Sequence, residues 1–114
     1  MKQAKLDSWL LKLPGAAVGP KWGDDWVYTV AEKMFCVLCV GGSDAGRMSF
    51  KVDDDLFLAM LDQPGIEPAP YLARAKWVML RAPEEFDAKW LRAQVERSYQ
   101  LVRDKLPKRV REAL

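Results

Sequence analysis

Apolar positions recur along this chain with distinct periods, and each period predicts an element. Leu6, Trp9, Leu10 and Leu13 follow the i, i+3, i+4, i+7 spacing of one helix face, so residues 3–12 are expected to be helical. Pro14-Gly15 stops that helix, because proline disfavours the helical conformation of the residue before it. Ala16 to Trp22 follows as a first strand, weakened by Gly19-Pro20, and Gly23-Asp24-Asp25 makes a turn. Trp26 to Val30 alternates and is rich in β-formers, which predicts a second strand. Met34 to Val40 is apolar almost throughout, the pattern of a central strand buried on both faces. After the loose loop Gly41–Gly46, Met48, Phe50 and Val52 face inward while Arg47, Ser49 and Lys51 face outward.

Leu56 to Leu61 reads as a short helix behind three consecutive acids, Asp53-Asp54-Asp55. One of these is expected to cap the helix and its neighbours to favour the positive end of the dipole; no calcium-loop spacing follows. Residues 62–70 hold three Pro and one Gly and read as an irregular connector. In the last strand, Lys76–Arg81, Trp77 and Met79 share one face, and Lys76, Val78 and Leu80 the other. From Phe86 to Lys105 the residues Leu91, Val95, Ser98, Val102 and Leu106 make one stripe of a long helix, which Pro107 ends before a final helical turn. The expected architecture is α+β, a two-layer sandwich over residues 1–114 as one domain. Its antiparallel meander sheet has about five strands, and helices cover one face.

Composition changes this picture in three places. Five Trp is a high count for 114 residues; the economical expectation puts all of them in the core or at its edge, and an exposed one would mark an interface. Cys36 and Cys39 have the spacing of a C-x-x-C motif, but residues three apart in a strand point to opposite faces, so they are expected as two reduced, buried, metal-free side chains. The net charge of +2 is unevenly spread: residues 1–73 hold 7 Lys/Arg against 10 Asp/Glu, and residues 74–114 hold 11 against 6. A basic C-terminal part permits a phosphate-facing surface without requiring one. There is no apolar run of the ~20 residues needed to span a bilayer and no apolar leader after Met1, so no membrane partner and a cytoplasmic location are expected.

Catalysis finds little to work with. The chain has no His, no G-x-S-x-G elbow, no P-loop and no G-x-G-x-x-G. Asp24-Asp25 and Glu84-Glu85 sit in expected loops. The expectation is a non-enzyme without catalytic residues, cofactor or metal.

Separated landmarks in fixed order carry a family resemblance: Leu13-Pro14-Gly15-Ala16, Phe50-Lys51-Val52, Pro64 to Leu72 leading into Lys76-Trp77-Val78, Ser98 to Val102, and Leu106 to Arg111. With these the chain resembles the MmcQ/YjbR family, small bacterial domains with a frataxin-like (CyaY-like) α+β fold. The resemblance implies DNA binding through hairpin wings. Iron binding does not carry over, because frataxins use an acidic first helix and here Asp7 stands among Lys2, Lys5 and Lys12. The basic residues expected to meet phosphate are Lys33 at a turn, Arg47 and Lys51 on the fourth strand, Arg74 and Lys76 entering the fifth, and Lys105, Lys108, Arg109 and Arg111 in the tail. Asp24, Asp25 and Asp44 oppose this, and no reading helix is apparent, so contacts are expected to be electrostatic. The competing class is a protein- or peptide-binding module, since the wider two-layer fold resembles that of secretion chaperones. A monomer or weak dimer is expected.

Overall fold

In the computed structural model, which describes residues 1–114, the alternating segments assemble into one antiparallel sheet of six strands. Helix α1 (Gln3–Leu10) precedes β1 (Ala16–Lys21), β2 (Asp25–Val30), β3 (Lys33–Cys39) and β4 (Met48–Lys51). A 3-10 turn (Asp54–Leu56) and α2 (Phe57–Leu61) lead to β5 (Ile66–Pro68), a second 3-10 turn (Ala73–Ala75) and β6 (Trp77–Leu80). Helices α3 (Ala88–Arg103) and α4 (Lys108–Glu112) close the chain. The spatial order is β1-β2-β3-β4-β6-β5, so the meander holds for four strands and β6 then enters beside β4.

The sheet has six strands rather than about five because residues 66–68 pair with β6, Ile66 opposite Leu80 and Pro68 opposite Val78. Proline has no N–H for a ladder and survives in strands at edges. β1 with Pro20 and β5 with Pro68 are the two edges of this sheet.

Alternation decides what each face buries. Trp26, Leu38, Met48, Leu80 and Ile66 lie in one cross-strand row and Tyr28, Cys36, Phe50 and Val78 in the next; both turn toward the helices. There they meet Leu6 and Leu10 of α1 and Leu91, Val95 and Tyr99 of α3 in one core. The opposite row, Val37, Ser49 and Met79, turns to a face that no helix covers. There Ala69, Trp77 and Met79 form a small second cluster.

Ser98 fastens the long helix to the sheet. The register of β2 and β3 slips at Tyr28/Thr29, leaving Phe35 as an extra residue opposite β2. The buried Ser98 Oγ donates to the Phe35 carbonyl at 2.6 Å and accepts from the Lys51 N–H at 2.9 Å, so both backbone groups find a partner. Asp87 caps α3 by accepting from the Trp90 N–H at 2.9 Å, which starts the helix after Phe86. Asp53 stands at a cap position but does not cap. Its carboxylate takes the Arg97 guanidinium of α3 at 2.7 Å, a correction to the expected cap. No helix is long and apolar enough to cross a membrane.

Candidate functional site

Nine cations were expected on one phosphate-facing surface, and the fold divides them. Lys33 begins β3 and Lys51 ends the adjacent β4, so antiparallel pairing brings both to the same end of the sheet. They line one cleft of about 490 Å³ with Glu32, Ala75, Trp77, Val102 and Lys105. Arg74 precedes Ala75 in its turn and Lys76 follows it, with a left-handed backbone (φ 63°). Lys33, Lys51, Arg74, Lys76 and Lys105 all lack a carboxylate partner among the six ion pairs of the molecule. Lys51 is not solvent-facing as expected; it is 8% exposed and its Nζ donates to the Ala75 carbonyl at 2.5 Å. Burial first, then the positive charge of Lys105 and Lys76, holds its ammonium below the ordinary lysine pKa, with Asp54 opposing.

The other four lie elsewhere. Arg47 sits at the far end of β4, paired with Asp44 at 3.1 Å. Lys108, Arg109 and Arg111 are on α4, a docked helix and not a free tail, because Val110 and Leu114 pack against the core. Lys108 faces Glu112 at 3.9 Å, and Arg111 Nη1 donates to the Asp104 carbonyl at 3.0 Å.

The helix-free face carries a feature that periodicity did not disclose. A cleft of about 600 Å³ opens over Val37, Ser49 and Met79, with Trp22 and Tyr71 on its rims. Trp9 and Trp77 are buried and Trp26 and Trp90 partly buried, but Trp22 is 67% exposed, which corrects the expectation for all five. Tyr71 is 103% exposed. Both have left-handed backbones, φ 52° at Trp22 and 64° at Tyr71, where large side chains are rare. At Trp22, followed by Gly23 at φ 83°, the positive φ belongs to the β1–β2 hairpin turn, just as the positive φ of Ala31 and Glu32 belongs to the β2–β3 turn.

Asp25 lines this cleft beside Asp44, and burial, then the charge of Asp24, raises its carboxyl pKa. Cys39 lines it too and is only partly buried, whereas Cys36 lies in the core on the other face, its thiol pushed up by burial. The opposite orientations follow from strand alternation; full burial of Cys39 does not hold.

Comparison with known proteins identifies the architecture. The model of the family described as YjbR matches residues 11–101. The chain belongs to the YjbR family. The YjbR landmarks have physical roles here. The Pro14 carbonyl accepts from the Tyr99 hydroxyl at 2.5 Å, joining the first turn to α3. Gly15 has φ 75°, a left-handed backbone that favours glycine at this turn. The crystal structure of Deinococcus radiodurans protein DR2400, with domain DUF419, matches with a TM-score of 0.85 at 24% identity, over 96% of this chain and 85% of that one. A crystal structure of a Pseudomonas syringae protein matches with a TM-score of 0.70 at 20% identity, over 89% of this chain and 98% of that one. At these identities the likeness is one of fold. No curated protein matches the chain.

Proposed function

We propose that this YjbR-family chain is a non-enzymatic DNA-binding domain that engages phosphates electrostatically at the lysine end of its sheet. The observation that carries this reading is the convergence of Lys33, Lys51 and Lys105 on one cleft, with Lys76 close enough to lower the Lys51 pKa and Arg74 in the adjoining turn, none of the five in an ion pair. Like charges that outnumber the nearby carboxylates, here Glu32 and Asp54, raise one another's energy, and a phosphate relieves that repulsion while releasing condensed ions. The lowered pKa of Lys51 has the same cause in part. A chain without His lacks the commonest general base, which supports the non-enzymatic part.

The test is fluorescence anisotropy with a labelled random oligonucleotide at low and moderate salt. With about four phosphates contacted, the log–log salt slope on a duplex is about −3.6. A Lys33→Ala, Lys76→Ala, Lys105→Ala variant is expected to flatten the slope by about 2.7, while Lys108→Ala, Arg109→Ala leaves it nearly unchanged. No binding at low salt, or loss only in the α4 variant, contradicts the proposal.

A further inference from the structure

The two clefts adjoin: Met34, next to Lys33, lines both the lysine end and the aromatic cleft of the open face. From this arrangement we infer that the nucleic acid is bound as a single strand that runs along the open face, part of its backbone held at the lysine end and its bases stacked on Tyr71 and, at the other end of the cleft, on Trp22. The inference rests on the polyanion reading and specifies which form of nucleic acid the face takes.

Charge decides the direction of the strand across the face. The end of the sheet with Lys33 and Lys51 is cationic, and about 13 Å along β3, at the usual strand rise, Val37 lies in the cleft floor. Beyond it stand Asp25, Asp44 and Arg47; Asp44 is paired with Arg47 at 3.1 Å, which leaves Asp25 to weaken phosphate binding there. Backbone phosphates are therefore held most strongly at the lysine end, and the largely apolar floor of the cleft favours an uncharged, flat group. A nucleobase meets both conditions. Tyr71 and Trp22, the latter with the Lys21 ammonium 5.8 Å from its ring centroid, are exposed aromatics beside cationic groups, the platform on which single-stranded nucleic acids stack. A duplex keeps its bases stacked and paired, so it reaches the lysine end alone. An apolar peptide would use the same cleft floor but has no use for the adjoining lysines.

The experiment compares a labelled oligodeoxythymidylate with the same strand annealed to oligodeoxyadenylate, at one low salt concentration. Trp22→Asn and Tyr71→Asn are chosen because both side chains are exposed and asparagine suits a left-handed backbone. The single strand is expected to bind at least about 10-fold tighter than the duplex. Each aromatic variant should lower single-strand affinity by roughly 5- to 150-fold, leaving the salt slope and duplex binding unchanged. Equal binding of both forms, with neither aromatic variant affecting the single strand, overturns the stacking inference while the lysine end stands. Binding of neither form removes the polyanion reading and this inference together, and points the cleft to a peptide partner.

Discussion

Ser98→Ala is the most informative single substitution for the fold. In the native chain Ser98 Oγ is buried, gives its hydrogen to the Phe35 carbonyl at 2.6 Å and takes one from the Lys51 N–H at 2.9 Å. The alanine keeps the helix and nearly the same volume, so the packing term is small. Two buried backbone groups, the Phe35 carbonyl of β3 and the Lys51 N–H of β4, lose their partner just beyond the last β3–β4 pair, Cys36 with Phe50. Each orphaned group costs roughly 1–3 kcal/mol, and loss of the hydroxyl's own desolvation offsets part of that, leaving about 2–4 kcal/mol in total. For a domain of this length, that is a fall in Tm of roughly 8–16 °C. Urea denaturation followed by circular dichroism reads the free energy, and m should not change. Hydrogen exchange should show the Lys51 amide losing protection. A loss below about 0.5 kcal/mol with Lys51 still protected would refute the idea that Ser98 fastens α3 to the sheet.

Three further expectations follow from burial and charge. Leu91→Ala removes a side chain 1% exposed between α3 and the sheet and should cost roughly 2–5 kcal/mol in the same denaturation assay. Burial, and a hydrogen bond to Asp7 at 2.6 Å, raise the Tyr28 phenol above its ordinary 10.0. Its contribution is therefore complete below pH 10.0 and is lost as pH rises beyond it, so Tyr28→Phe should show a shallower alkaline loss of urea midpoint. The hydrogen bond from Arg97 holds the Asp53 carboxyl below its ordinary 3.8, so that stabilisation is present above pH 3.8 and lost as pH falls below it. Asp53→Asn should be the less stable chain near neutrality and converge on the parent in acid.

Strand and helix placement was legible where one face is buried. The alternation of Met48, Phe50 and Val52 and the α3 stripe of Leu91, Val95 and Ser98 mark inward positions that the structure keeps. β5 was not legible, because Pro64 and Pro68 read as breakers until a sheet edge is known to be there. The open-face cleft was hidden for a related reason. In β6, Trp77, Val78, Met79 and Leu80 are all buried, and periodicity cannot say which face the helices take. Trp22 looks like any core tryptophan; its exposure comes from a hairpin turn that needs a left-handed residue. The lysine end depends on register: Lys33, Lys51 and Lys105 are far apart in sequence and meet only through strand pairing and the end of α3.

The measurement that bears most directly on the functional account is an amide chemical-shift titration of the isotope-labelled chain with oligodeoxythymidylate at low salt. The account predicts the largest shifts around Lys33, Lys51, Arg74, Lys76 and Lys105, extending to Trp22 and Tyr71 and leaving α4 quiet. Raising the salt should reverse them. Shifts confined to α4, or an unchanged spectrum at a large excess of oligonucleotide, would contradict it.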